Sequence, residues 1–231
     1  MGIRDTKMEA ELENNIIDYL VKEHGYEYIK PNEMKLSFNK KYAFDKERLL
    51  CFIKTSQPDE FNILRLDTES GRDKFYKQLD TSIKQNGIKC YPSSGTIIFY
   101  HALDSKRPSS YEEFKLNIFS VTNQLTYSDK NRGLELDLAI SVNGFPIMTM
   151  ELKSRASSTG WTYRDAAEQY KNDRDPKETL LNFKRCIAHF AVDENFITFT
   201  TRLDGKNTRF MPFNKGTEVG GSGNPIILQE L

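Results

Sequence analysis

The sequence has little of what secreted and membrane proteins depend on. Its 231 residues include only three cysteines, Cys51, Cys90 and Cys186, with no Cys-x-x-Cys pair. An odd, widely spaced set favours free thiols in a reducing compartment over a disulfide framework. No apolar run approaches the length of a membrane span, and the N-terminus MGIRDTKMEAELENN is too polar for a signal peptide. We therefore predict a soluble, cytoplasmic protein.

Excess charge and the common cofactor motifs are also missing. The 33 basic residues are balanced by 33 acidic ones, so any binding to nucleic acid must depend on local patches of charge. His24, His101 and His189 lie far apart and follow no metal-ligand spacing. No Gly-x-x-x-x-Gly-Lys-Ser/Thr motif occurs, so nothing in the chain can cradle the phosphates of ATP.

What the chain does contain is enough apolar surface for a globular fold, 38% hydrophobic and 12% aromatic residues. Helical spacing of apolar residues alternates along the chain with strand-like segments. The pattern predicts an α/β or α+β protein with a central β-sheet flanked by helices. We expect one domain over residues 1–215, followed at 216–231 by a flexible linker that includes GGSGNP. The predicted helices are 7–24, 48–54, 72–86 and 161–171, and the predicted strands include 26–29, 61–66, 96–101, 115–127, 188–192 and 196–201.

Charged residues interrupt the apolar segment LDLAISVNGFPIMTMELK, which is the most informative part of the chain. Asn143-Gly144 predicts a hairpin turn between two strands. Glu151 and Lys153 are two residues apart and therefore point to one face of a strand. A two-residue loop would oppose Asp137 to Met150, whereas a three-residue loop that includes Phe145 would oppose it to Glu151. We expect the three-residue loop, and the alternative is a compensating bulge.

Two explanations fit a cluster of Asp137, Glu151 and Lys153. Carboxylate oxygens suit Mg²⁺, which keeps several waters and takes one or two protein carboxylates. Such an ion would activate water at a phosphodiester, and the lysine could orient that water or stabilise the developing charge. A solvated salt bridge is the other explanation, and spacing alone favours it because charged residues are common at strand ends.

The same hairpin resembles the core motif of the PD-(D/E)xK nucleases. More specifically, the chain resembles the N-terminal nuclease domain of the restriction (R) subunit of type I restriction-modification enzymes. Further stretches that carry the resemblance are TSQPDEFNIL, NIFSVTNQLTYS, AAEQYKNDRDP and HFAVDENFITFTTRLDGKNTRFMPFNKG. Together they extend over nearly the whole chain in the expected order. The resemblance implies a restriction-endonuclease-like core, a mixed sheet flanked by helices.

The resemblance also implies roles for individual residues. Asp137 and Glu151 would hold Mg²⁺, Lys153 would be the catalytic lysine, and Glu13 on the first helix would be an additional acidic ligand. Gln169 matches a glutamine that follows the lysine strand in a subset of these nucleases. In that subset a tyrosine often follows four residues later, whereas this chain has Asp173 at that position.

The implied function is Mg²⁺-dependent endonucleolytic cleavage of double-stranded DNA within a complex that also contains methyltransferase and specificity subunits. ATP would be used only by motor domains beyond this chain, which we expect to be a fragment of a longer subunit. Asn131 and Arg132 immediately precede the Asp137 strand, and we expect them to contact the DNA beside the scissile phosphate. The alternative is a catalytically silent domain of the same fold that docks the motor or the methyltransferase core.

Overall fold

A mixed β-sheet with helices packed against it forms the centre of the fold, which confirms the predicted fold class. The computed structural model describes residues 3–86, 97–131, 133–154 and 160–213. Within these ranges seven strands pair in the order β1-β4-β5-β6-β7-β8-β9. They are β1 (Glu27–Ile29), β4 (Phe119–Thr126), β5 (Glu135–Val142), β6 (Phe145–Leu152), β7 (Ala188–Val192), β8 (Ile197–Thr200) and β9 (Met211–Pro212). The pairs β1/β4 and β6/β7 are parallel, and the other pairs are antiparallel.

Helices enclose this sheet, and two of them position the candidate site. The helices are α1 (Ile3–His24), α2 (Pro31–Ser37), α3 (Lys46–Ser56), α4 (Pro58–Ile63), α5 (Glu69–Asn86), α6 (Ser110–Phe114) and α7 (Tyr163–Asp173). Helix α1 packs its apolar face, including Ile17, against Leu138 and Leu152 of the central strands. Helix α7 packs on β6 and β7 through a face that contains the fully buried Tyr170. Two short strands, β2 (Phe38–Asn39) and β3 (Phe44–Asp45), form a separate pair.

Most predicted elements are present, but the predicted strand at 61–66 is wrong. Residues 58–63 form helix α4, with Pro58 in the first turn, where its missing N–H costs nothing. Asp59 and Glu60 are also in the first turn, where negative charge is favourable. Phe61 turns inward to the α3–α5 core, so its burial stabilises a helix here as well as it would a strand.

The strand predicted at 96–101 is also wrong over residues 97–101, which are irregular. Side-chain amides pair with the backbone groups that a sheet would otherwise satisfy. Gln57 accepts from the N–H of Ile98 and donates to its carbonyl, both at 2.7 Å. Asn117 does the same for His101, at 3.0 and 2.8 Å. Because these amides meet the hydrogen-bonding needs of the apolar segment, it can be buried without a neighbouring strand.

The β5–β6 hairpin has a two-residue turn, so the expected three-residue loop is wrong. Val142 pairs directly with Phe145. Asn143 and Gly144 have φ values of 51° and 85°, the left-handed pair that tight hairpin turns require. The side chain of Asn143 is fully buried and accepts from the N–H of Ile118 at 2.6 Å, which fixes the turn against the segment before β4.

A β-bulge follows this turn and changes the pairing of the two strands. Ser141 pairs with Pro146, but the next pair is Ile140 with Met148. Ile147 is therefore the extra residue on β6, and every pair beyond it is shifted by one. This is the alternative that the sequence left open, a tight turn with a compensating bulge.

Residues 216–231, predicted to be a linker, lie outside the described ranges. In the part of the chain that the structure describes, no helix is both long and apolar enough to cross a membrane.

Candidate active site

The bulge brings Asp137 opposite Glu151. Beyond the bulge Ala139 pairs with Thr149 and Leu138 with Met150. The next position in this register places Asp137 opposite Glu151. Their carboxylates are close enough that the charge of Asp137 raises the pKa of Glu151. Asp137 also accepts a hydrogen bond at Oδ2 from the N–H of Leu152, at 2.7 Å. The carboxylate of Asp137 is thus hydrogen-bonded across the hairpin to Leu152, the residue that follows Glu151.

Glu151 is fully buried, and its two oxygens differ. Oε1 accepts a hydrogen bond from Nε of Arg174 at 2.6 Å, whereas Oε2 has no hydrogen-bond partner within the described chain. Burial, and after it the charge of Asp137, raise the pKa of Glu151, although Arg174 and Lys153 oppose that rise. A buried carboxylate oxygen without a donor is costly, and it is an oxygen that a cation could use.

Lys153 immediately follows β6 and is also buried. Its backbone N–H donates to the carbonyl of Val192 at 2.9 Å, which extends the pairing with β7. Its ammonium lies 3.6 Å from Oε1 of Glu9 on α1 and 5.3 Å from the ring centroid of Trp161. The lysine charge is therefore held between a carboxylate and an aromatic face.

Helix α1 contributes a second carboxylate, that of Glu13, which is buried. It accepts hydrogen bonds from Nδ2 of Asn123 at 2.5 Å and from Nε2 of Gln124 at 2.9 Å. Burial raises the pKa of Glu13, the two amides oppose the rise, and the charge of Asp137 adds to it. Glu9 and Glu13 are one helical turn apart, so α1 directs both acids to the ends of β4, β5 and β6.

Gln124 is a residue of the candidate site that no sequence pattern singled out. It lies in β4 with φ of 48°, a left-handed conformation that is rare and strained for a residue with a side chain. Asn123 pairs with Leu138 and Leu125 with Leu136, so Gln124 faces Asp137 at an interruption of the ladder. The strained backbone directs the amide of Gln124 to Glu13.

The family model described as type I restriction enzyme R protein N terminus matches residues 6–211. The chain belongs to this family. The search of curated proteins found no match to the chain.

In this R protein N terminus the matched region includes the central sheet and both helices, α1 and α7, that adjoin the acidic cluster. The family points to the nuclease part of a type I restriction enzyme R subunit, as the resemblance implied. DNA and the other subunits of a restriction-modification complex are the partners that this family implies in general.

The structure brings together four of the predicted site residues, Glu13, Asp137, Glu151 and Lys153. Gln169 is half-buried on α7 and makes no hydrogen bond to the four within the described ranges. The other two lie before β5. Asn131 is exposed, and its Oδ1 accepts from the N–H of Gly133 at 3.2 Å.

The prediction for Arg132 falls on a residue outside the described ranges.

Two arginines from basic stretches near the C-terminal end of the chain, Arg174 and Arg185, are buried. Arg174 contacts Glu151, and Arg185 donates from Nη2 to Asp80 at 2.7 Å. Their guanidinium groups balance acids inside the protein, so they are not available to DNA phosphates. No periodicity in the sequence distinguishes these two arginines from the exposed lysines around them.

The residues present fit Mg²⁺ through a small number of carboxylates. Across the described ranges, no three His, Cys, Asp or Glu side chains already surround a common point. Mg²⁺ needs only one or two protein carboxylates, because it retains several of its waters. The free Oε2 of Glu151 beside Asp137 provides such a pair, and their mutual repulsion favours a cation between them.

Proposed function

We propose that this chain is the Mg²⁺-dependent DNA endonuclease domain of a type I restriction enzyme R subunit. The observation that carries the proposal is the bulge at Ile147, which opposes Asp137 to Glu151 two residues before the buried Lys153. A salt bridge within this trio does not account for the arrangement, because the ion-pair partner of Lys153 is Glu9 on α1 rather than either acid of the hairpin.

In this function Asp137 and Glu151 would hold the Mg²⁺, with Glu13 as a further acidic group behind Asp137. When bound, the ion would supply a water of lowered pKa and neutralise charge on the scissile phosphate. Asp137 is oriented for its role by the N–H of Leu152, and Glu13 is oriented by Asn123 and Gln124.

Lys153 would act on the reacting groups directly. An ammonium can donate a hydrogen bond to the attacking water or to a phosphate oxygen, and a buried site strengthens that interaction. Glu9 and the ring of Trp161 hold this ammonium in place at the end of β6.

The DNA would approach the end of the sheet where these side chains meet. Asn131 is exposed on the loop before β5, and we propose that it and Arg132 contact the strand being cut. Gln169, on α7, would contribute to the same catalytic site. The motor domains that translocate DNA with ATP, and the methyltransferase and specificity subunits, would present the substrate.

One observation favours the alternative, a silent domain of the same fold that docks the motor or methyltransferase core. Glu151 is already neutralised by Arg174, and Lys153 by Glu9. A cluster whose charges are balanced internally can be a structural element of the core.

The test uses the complete restriction complex with Mg²⁺ and ATP. Asp137→Ala and Lys153→Ala are expected to abolish nicking of DNA while ATP hydrolysis continues at the wild-type rate. Retained ATP hydrolysis shows that the complex is assembled and that the motor works. Normal cleavage by either variant would refute the assignment, and a wild-type complex that translocates without cutting would establish the silent domain.

A further inference from the structure

Arg174 occupies one oxygen of the proposed metal-binding carboxylate. Its Nε donates to Oε1 of Glu151 at 2.6 Å, and its Nη2 donates to the backbone carbonyl of Glu135 at 2.8 Å. The side chains of Arg174 and Glu151 are 7% and 0% exposed, so water contributes little to the solvation of either charge. The guanidinium is thus fixed at two points, one on β5 and one on β6.

The position of Arg174 follows from the end of α7. It is the C-terminal cap residue of that helix, where a positive charge is favourable because the last carbonyls of a helix carry partial negative charge. The helix is held on β6 by Tyr170, whose hydroxyl lies 2.7 Å from Oγ1 of Thr149. Thr149 and Glu151 are two residues apart on β6 and share one face. Docking of α7 therefore brings Arg174 to Glu151.

Glu151 needs a counter-charge when no metal is bound. A fully buried carboxylate is costly unless it is paired and hydrogen-bonded, and the nearby Asp137 adds repulsion. Lys153 forms its ion pair with Glu9 instead. Arg174 is the cation in hydrogen-bonding contact with Glu151.

The same contact works against a divalent ion. A metal held by Glu151 would share this carboxylate with the guanidinium of Arg174, and like charges on one buried carboxylate repel strongly in a poorly hydrated site. A lysine could lose its proton to relieve the repulsion, but an arginine keeps its charge. The attraction between the metal and the carboxylates must therefore exceed a penalty that Arg174 imposes at every accessible pH.

We propose that Arg174 is a resident counter-cation that stabilises the metal-free site and keeps its affinity for divalent ions low until DNA adds phosphate charge. This inference rests on the proposed nuclease function and extends it to regulation. Asp137 and Glu151 do not supply enough negative charge to bind a metal tightly, because Glu151 is already paired with Arg174. The scissile phosphate supplies the charge that is missing. The site would therefore bind its metal tightly only when DNA is in place.

The test is calorimetric titration of Mn²⁺ into the 231-residue chain without DNA. Arg174→Met is expected to bind Mn²⁺ at least about tenfold more tightly than the wild type. Arg174→Lys, whose ammonium can lose a proton to relieve the repulsion, is expected to bind Mn²⁺ with an affinity between those of the wild type and Arg174→Met. Arg174→Gln serves as a second neutral variant that keeps a hydrogen-bond donor, in case the methionine variant does not fold.

Arg185 offers a matched control. It is also a buried arginine that donates to one carboxylate, Asp80, and to one backbone carbonyl, that of Tyr42, each at 2.7 Å. Arg185→Met is expected to lower the thermal unfolding temperature without changing Mn²⁺ affinity. Arg174→Met is expected to lower the unfolding temperature of the metal-free chain, and the added substitution Glu151→Gln should restore it.

Several outcomes would overturn the inference. They are weaker or unchanged Mn²⁺ binding by both neutral variants, equal tightening by Arg185→Met, and no recovery of stability by Glu151→Gln. Absence of Mn²⁺ binding by every variant would count in the same way. Failure of the nuclease assignment is a separate result, because it is read from nicking by the complete complex.

Discussion

Oδ2 of Asp137 accepts a hydrogen bond from the backbone N–H of Leu152 at 2.7 Å, so an acid of β5 is fixed by the residue that lies between Glu151 and Lys153. The bond joins the two strands where their ladder ends. The bond orients the side chain of Asp137 through Oδ2 alone. The structural contribution of this side chain therefore depends on an oxygen acceptor and not on its negative charge.

Asp137→Asn separates these two contributions. An amide oxygen can still accept from Leu152, so we expect the unfolding free energy to change by less than about 1 kcal/mol. Loss of the charge is expected to reduce Mg²⁺-dependent nicking by at least about 100-fold in the assembled complex. Glu135→Gln is the control, since Glu135 lies two residues away on β5 and pairs with Thr126 and Lys35. Its nicking rate should stay at the wild-type level.

The left-handed backbone at Gln124 should invert the usual order of stability between its alanine and glycine variants. In an ordinary strand alanine is more stable than glycine by roughly 0.5–1 kcal/mol. At φ of 48° alanine is strained and glycine is not, so Gln124→Gly should be more stable than Gln124→Ala by about 1 kcal/mol. Both variants lose the bond to Glu13 and should cut DNA more slowly. Urea unfolding measures the first effect, and an alanine variant that is the more stable of the two would refute the strained geometry.

Gly144 in the hairpin turn should not accept a side chain. An added Cβ would lie 2.5 Å from the carbonyl oxygen of Asp45 and 2.8 Å from the nitrogen of Leu49, at φ of 85°. Strain and overlap together should make Gly144→Ala at least about 2 kcal/mol less stable in urea unfolding. Gly25→Ala is the control, because Gly25 also has positive φ but no atom within 4 Å of an added Cβ. That variant should lose only about 1 kcal/mol.

Because His189 is buried, we expect the folded protein to lose stability in mild acid. Burial lowers its pKa from 6.5 to about 4, so between these values the unfolded chain binds a proton that the folded chain does not. Stability should therefore fall as the pH decreases through this window, by up to about 3 kcal/mol from this residue. His189→Asn should show a flatter profile in urea unfolding between pH 7 and about pH 4.5. A variant of the exposed His24, His24→Asn, should reproduce the wild-type slope.

The sequence predicted the parts of the fold that depend on periodicity and on strong turn residues. The first helix, the hairpin and the strand at 188–192 were identified in this way. Counting residues around the turn also showed that Asp137 can lie opposite Glu151 only if the loop has three residues or the hairpin contains a bulge. It could not choose between them, because Pro146, which has no N–H for the ladder, fits a longer loop as well as a bulge at Ile147.

Contacts between distant segments account for what the sequence left out. The side chain of Gln57 replaces a neighbouring strand for Ile98, 41 residues away, so an apolar run that resembles a strand is irregular. Arg174 looks like its exposed basic neighbours until the docking of α7 buries it on Glu151. Gln124 owes its role to a backbone angle, which propensity does not reveal for a glutamine.

The position of α1 has a consequence for the order of events during synthesis. Glu13 is bonded to a side chain 110 residues further along the chain, and Glu9 reaches the lysine beyond the hairpin. The helix therefore leaves the ribosome long before its partners exist, and docking closes one of the longest loops of the domain. A nascent chain could form the hairpin with both of its acids and still lack the two carboxylates of α1. Completion of the acidic cluster thus coincides with completion of the domain, so a half-folded chain would lack the proposed metal site.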